Sequence, residues 1–299
     1  MARLCRASGA HYDGHLVTAT RSPGQGDKSP IFCPSDGPAV LCLHGFTGTP
    51  FEVAPLARHL AGAGFSVSAP RLAGHGESAS ALAATRWQYW LASAEAAFDE
   101  LRAASGNRPV ALAGFSMGGL LALRLARLHP HAVPALVVMS APLRLRNMQV
   151  ILARAWNHLP GFLRRGPLAT VRKRGGSDVT DDSVRAENPS LPEMPLAGIV
   201  ELIELAEVVR RDLTHLHMPA LIAHGERDRT IALQASFELA GSIASDVVER
   251  LWLKRSAHLI AVDVERARLC AEVTSFLSRH TQVAPAAKAS ERTPSESSQ

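Results

Sequence analysis

Three residues in this chain have the types and placement of a nucleophile, a base and an acid. The first is the serine of Gly114-Phe115-Ser116-Met117-Gly118-Gly119, a G-x-S-x-G pattern. Val110 to Ala113 before it is apolar and short, as a buried strand requires. Leu120 to Leu128 after it is rich in Ala and Leu and reads as a helix, stopped near His129-Pro130. Strand, sharp turn and helix place a serine at a strained tip. Neighbouring chain must come close to such a turn, so side chains at 114 and 118 would clash.

A serine hydroxyl is too weak an acid to attack an acyl carbon unaided at neutral pH. A histidine must take its proton and later deliver it to the leaving group. A carboxylate then fixes the imidazole tautomer. Ala220 to His224 is a strand-like run that ends in Gly225-Glu226-Arg227-Asp228-Arg229. Val247 to Lys254 is another, followed by Ser256-Ala257-His258. All three polar residues thus follow strands, where open α/β sheets bind their ligands. The loop Ser140 to Arg146 holds no carboxylate. The acid is then Glu226 or Asp228, and the G-x-x-D spacing favours Asp228. The expectation is Ser116 as nucleophile, His258 as base and Asp228 as its orienting acid, in the chain order Ser, Asp, His that α/β-hydrolases use.

The tetrahedral intermediate needs backbone donors for its oxyanion. Met117 N–H, next to the nucleophile, is one. Phe46 N–H, in the loop after the strand Ala39–Leu43, is the expected other. The Phe46 side chain is placed at the wall of the acyl pocket. His44 is read as a brace for that loop, and His75 as structural. His11/His15 and His215/His217 lack a third ligand, so no metal site is expected.

These residues need a scaffold. Apolar runs without alternation at 39–43, 65–69, 110–113, 135–139 and 220–224 read as strands of a sheet covered on both faces. Helical patterns separate them, at Thr49 to Ala61, Arg86 to Ala104 and Leu120 to Leu128. That rhythm predicts a mostly parallel sheet with helices on both faces. It breaks at Leu143. Residues 144–215 hold helical segments (Met148 to Leu159, Leu196 to Leu213) and no convincing strand, and so read as an insertion packed over something. Trp156, Phe162, Leu163, Leu191, Met194 and Ile199 give it apolar material. Phe46, Trp156, Phe162, Met194 and Ile199 are the expected pocket. Residues 1–29 read as a loosely ordered arm and 281–299 as a disordered tail.

Composition narrows the partners. Hydrophobic residues make up 46% and charged residues 20% of the 299, which suits a globular chain with a core. No apolar run reaches the ~18–20 residues of a membrane-spanning helix. The start lacks the apolar core of a secretory signal. Cys5, Cys33, Cys42 and Cys270 match no metal pattern, which favours a reducing cytoplasm with Cys42 and Cys270 as buried thiols. The net charge is +5. Arg164, Arg165, Arg172, Lys173 and Arg174 cluster in a stretch without acids and read as a solvated basic surface. No nucleic-acid fold signature accompanies them, so nucleic acid is not an expected partner. Transient lipid contact through this basic stretch is allowed, stable membrane insertion is not.

The set His44-Gly-Phe-Thr-Gly, Pro70-Arg-Leu-Ala-Gly-His-Gly, Gly114-Phe-Ser-Met-Gly-Gly, His224-Gly-Glu-Arg-Asp-Arg and Ser256-Ala-His258 resembles the bacterial carboxylesterase and monoacylglycerol lipase branch of the α/β-hydrolase superfamily. The resemblance covers roughly residues 30–280. It implies an α/β-hydrolase core over 30–143 and 216–280. It also implies a small helical lid over 144–215, before the seventh strand, and neither a metal nor an organic cofactor. The substrate it implies is a small-molecule acyl ester of short to medium chain, with monoacylglycerols among the candidates. A carbon–carbon bond hydrolase or an acyltransferase would use the same triad. A non-catalytic binding protein of the same fold is the reading from another class. Epoxide and haloalkane hydrolases are disfavoured, because they need a carboxylate at position 116.

Overall fold

The apolar runs of the sequence become the strands of one twisted sheet. The computed structural model describes residues 24–144, 151, 155–158, 169–173 and 175–281. The arm expected over 1–29 and the tail over 281–299 fall mostly outside these residues, as does most of Met148 to Leu159. From the arm, Gly24 N–H and Gly26 N–H donate to Ala186 and Glu187 carbonyls.

The strands are β1 (Ile31–Cys33), β2 (Ala39–Leu43), β3 (Ser66–Ala69), β4 (Val110–Phe115), β5 (Leu136–Met139), β6 (Thr170–Arg172), β7 (Glu193–Pro195), β8 (Ala220–Gly225) and β9 (Val248–Leu253). Seven of them form the main sheet in the order β1-β3-β2-β4-β5-β8-β9. Only β1 runs antiparallel, against β3, at one edge. The helices are α1 (Ala54–Gly62), α2 (Ala79–Ala83), α3 (Trp87–Ala104), α4 (Met117–Leu128), α5 (Asp182–Glu187), α6 (Leu196–Asp212), α7 (Gln234–Ser242) and α8 (Arg266–His280).

Alternation along β2 separates two layers. Leu41 and Leu43 join the core beneath α3, α4 and α6, whereas Val40 and Cys42 join the core beneath α1 and α8. Phe98 and Leu101 anchor α3 with no exposed surface, and full burial of such a side chain stabilises by about 1.5–3 kcal/mol. Gly106, at φ 70°, then reverses the chain after α3.

Several features differ from the sequence-based expectation. The stretch expected to lack strands contains β6 and β7, which pair antiparallel as a two-stranded ribbon. Three residues each are too few for alternation to register. Among the described residues the insertion precedes β8, the sixth strand of the main sheet in chain order. Helix α6, inside the expected lid span, buries Leu205 and Val209 in the core shared with α3 and α4. Helix α2 was not anticipated either; Ser78 caps it by accepting Ala81 N–H.

Cys42 and Cys270 are free and buried. Burial first, then Cys270, pushes the Cys42 thiol up to about 12. Cys33, by contrast, is disulfide-bonded. Among the described residues no helix is long and apolar enough to cross a membrane. Within the basic stretch, Arg172 is exposed on β6, and Arg164, Arg165 and Arg174 lie outside the described residues. Lys173 departs from the expected solvated surface and lines the central cavity.

Candidate active site

The turn between β4 and α4 places Ser116 at φ 53° and ψ −119°. A non-glycine residue there is strained, and its neighbours must hold it. Ser116 N–H donates to Met139 carbonyl at 2.8 Å. A Cβ at Gly114 would lie 2.1 Å from Gly118 O, and one at Gly118 would lie 2.3 Å from Leu43 O. Both positions therefore require glycine for space.

His258 sits in the loop after β9, with Nε2 at 3.1 Å from Ser116 Oγ. Its Nδ1–H donates to Asp228 Oδ2 at 2.7 Å. Asp228 lies in the loop after β8, its side chain 1% exposed, whereas Glu226 points to solvent. The other Asp228 oxygen accepts Thr230 N–H at 2.8 Å and Ile231 N–H at 2.7 Å. Burial alone would raise the Asp228 pKa, but His258 and His224 outweigh it and hold the carboxyl well below its usual range. Burial would likewise lower His258. Asp228, and behind it Asp178 and Glu52, overturn that and raise it.

The two loops are tied together by residues 178–181, a connection the sequence reading missed. Asp178 Oδ2 accepts Arg229 N–H at 2.8 Å and Thr230 N–H at 3.0 Å. Asp263, fully buried, accepts Ala257 N–H at 2.7 Å, Thr180 N–H at 3.0 Å and Asp181 N–H at 3.1 Å. The acid loop and the histidine loop are thus bound to the same short segment.

Met117 opens α4, so its N–H belongs to the helix's unpaired first turn and to the positive end of its dipole. Phe46 lies in the loop after β2. His44 spans that loop's base: Nδ1–H donates to Gly45 O at 2.9 Å, and Nε2 accepts Leu72 N–H at 3.1 Å. Burial drives its pKa down to about 3, so it is neutral. His75 is also buried. It bonds Ala73 O and packs edge-on against His44, Phe46 and Trp90.

A cavity of about 420 Å³ opens over Ser116 and His258. Of the expected pocket residues, Phe46, Met194 and Ile199 line it. Trp156 packs beside it, against the Leu196 and Ile199 cluster. Phe162 lies outside the described residues. Pro142, Leu202, Ile231 and Leu259 extend the apolar wall. Glu52, Lys173, Ser177 and Ser190 make a polar end that the sequence reading did not assign. Among the described residues no group of His, Cys, Asp and Glu is placed to hold a metal ion.

Residues 36–265 match the family model Hydrolase_4, described as serine aminopeptidase, S33. The chain belongs to this family of α/β-hydrolases. It is 29% identical over 250 residues to a thermostable monoacylglycerol lipase of Bacillus sp., covering 83% of this chain and 94% of that one. It is 24% identical over 241 residues to a carboxylesterase of Bacillus subtilis, covering 81% and 92%. Among solved structures, one from a study of the metagenome-derived lipolytic enzymes LipS and LipT superposes with a TM-score of 0.77 at 28% identity. That match covers 87% of this chain and 99% of the other. This α/β-hydrolase is of the esterase and lipase type.

Proposed function

We propose that this α/β-hydrolase is a serine hydrolase that cleaves carboxylic esters of short- to medium-chain acyl groups, monoacylglycerols included, through an acyl-enzyme. The observation that carries the reading is the line Ser116 Oγ, His258 Nε2, His258 Nδ1, Asp228 Oδ2, with gaps of 3.1 and 2.7 Å, at the floor of a cavity with an apolar wall.

Ser116 Oγ attacks the ester carbonyl as His258 Nε2 takes its proton. Asp228 keeps Nδ1 protonated and stabilises the imidazolium that forms. The N–H groups of Phe46 and Met117 receive the oxyanion, a contribution of about 2.7–4 kcal/mol per donor in comparable sites. His258 then protonates the leaving alcohol, which departs. Water, deprotonated by the same nitrogen, releases the acid and restores Ser116.

The cavity supports the substrate class. Phe46, Met194 and Ile199 suit an acyl chain. The polar end at Lys173, Ser177 and Ser190 suits a hydroxyl-bearing alcohol. About 420 Å³ lies in the lower part of the range for small-molecule sites. The two Bacillus relatives bear names of that activity.

A panel of nitrophenyl esters and monoacylglycerols of graded chain length tests the reading. Hydrolysis is expected across the shorter esters, with a maximum at short to medium acyl length. An enzyme that reacts with serine-directed probes yet hydrolyses no member of the panel would instead be a carbon–carbon hydrolase or an acyltransferase.

A further inference from the structure

The insertion between β5 and β8 reaches the loops of Asp228 and His258 through one residue, Asp178. Its Oδ2 accepts Arg229 N–H at 2.8 Å, Thr230 N–H at 3.0 Å and the Thr230 hydroxyl at 2.9 Å. Its main-chain carbonyl accepts Leu259 N–H at 3.1 Å. These donors belong to the two residues after Asp228 and to the residue after His258. Thr230 N–H is shared, since Asp228 Oδ1 lies 2.8 Å from the same nitrogen. One side chain and its own carbonyl therefore hold both loops, and a single N–H joins Asp178 to the acid.

We propose that Asp178 is a positioning residue for ester hydrolysis: it locks the acid loop against the histidine loop, so the insertion helps to align Asp228 with His258. This rests on the serine-hydrolase reading. The pairing of β8 with β9 ends at Gly225 and Leu253. Beyond it, Glu226 N–H donates to Leu253 O and Arg227 N–H to Ser256 O, and both bonds stop short of Asp228 and His258. Past those two residues the loops need acceptors for their N–H groups, and Asp178 supplies them to both. The clamp is itself anchored. Val179 is 1% exposed in the core beneath α1 and α8. Thr180 and Asp181 N–H donate to the buried Asp263, which also takes Ala257 N–H.

A carboxylate contributes here in two separable ways. As an acceptor, its charge strengthens the bonds from the loop N–H groups. As a charge, it bears on the base. The groups that act on His258 against its burial are Asp228 at 2.7 Å, then Asp178 and Glu52, and each raises its pKa. The cations nearby are Arg229, whose Nε is 3.8 Å from Asp178 Oδ1 and whose side chain is exposed, and Lys173 and Arg185 on the cavity wall. Asp178→Asn keeps an oxygen acceptor and removes the charge. Asp178→Ala removes both.

The test is the pH profile of hydrolysis of a short nitrophenyl ester, with kcat expressed per serine titrated by a fluorophosphonate, so that unfolded protein does not count. Asp178→Ala is expected to lose kcat by on the order of 10- to 100-fold with KM little changed, as a loosened geometry would cause. Asp178→Asn is expected to recover most of that loss, with the midpoint of its acid limb below that of wild type, because a charge that raises His258 is gone. Thr230→Val keeps the shape of the residue and removes only its hydroxyl. It is expected to cost kcat a few-fold in wild type and nothing further in the Asp178→Ala background, since the two changes break one bond; should Asp178→Ala fail to fold, the Thr230→Val loss and the Asp178→Asn midpoint carry the test. A folded Asp178→Ala enzyme with wild-type kcat, an Asp178→Asn enzyme no better than Asp178→Ala or with the wild-type midpoint, or a Thr230→Val enzyme with wild-type kcat would overturn the proposal and leave the serine mechanism standing. A wild type that hydrolyses no ester and reacts with no serine-directed probe would remove both.

Discussion

His224 Nε2 lies 3.2 Å from Asp228 Oδ2, the oxygen that also accepts the Nδ1–H of His258. The catalytic carboxylate proposed here is therefore held between two histidines. His224 is fully buried, and its Nδ1 accepts the hydroxyl of Ser236 at 2.8 Å, which leaves Nε2–H to donate. His224→Phe removes a hydrogen bond to a charged group, worth about 1.5–3 kcal/mol. Steady-state kinetics should show kcat/KM reduced by roughly 10- to 100-fold. Unchanged kinetics would mean that His258 and the backbone donors suffice to orient Asp228.

The pKa of His258 gives a signed pH dependence. The base works as neutral imidazole, and its neighbours raise its pKa in the folded protein. Activity should rise with pH, with the midpoint of kcat/KM above the ordinary histidine value of about 6.5. Asp228→Asn removes the main raising charge. That variant should show a lower midpoint and a loss on the order of 10⁴-fold in kcat. A wild-type midpoint at or below the ordinary value contradicts the account.

Gly118 has no room for a side chain, since its Cβ would lie 2.3 Å from a backbone carbonyl. Backbone cannot yield as a flexible side chain can. Gly118→Ala should destabilise by about 1–3 kcal/mol or more and lower the melting temperature by several degrees. Thermal melts followed by circular dichroism measure this. An undisturbed melting temperature would place the contact between β2 and α4 wrongly.

Ile199 stands on the cavity wall and is 3% exposed. Ile199→Ala opens space at the apolar end. The ratio of kcat/KM for longer over shorter acyl esters should rise, by roughly 10-fold for an added methylene that fills the space. A ratio that stays constant or falls would place the acyl chain elsewhere in the cavity.

What the sequence made legible depended on the kind of signal. Ser116 was legible because glycine requirement, strand and helix all converge on one turn. Asp228 and His258 were legible because each follows an apolar run long enough to be a strand. Glu52 was not, because an acidic residue in the first turn of a helix is common on dipole grounds alone. Lys173 was hidden in a run of arginines that reads as surface; only the β6–β7 ribbon, too short to register in the pattern, turns it inward. Asp178 and Asp263 act on backbone N–H groups far away in the chain, a relationship with no local signature. The two histidines flanking Asp228 were visible as residues, but the role of His224 needed its 3.2 Å distance.

The central claim is that Ser116 is the nucleophile. Labelling with a fluorophosphonate probe, read by intact-protein mass, tests it most directly. Wild type should gain one probe adduct. Ser116→Ala should gain none and lose ester hydrolysis by on the order of 10⁶-fold while keeping its circular dichroism spectrum. A wild type that stays unlabelled, or a folded Ser116→Ala that still labels or hydrolyses, contradicts the account.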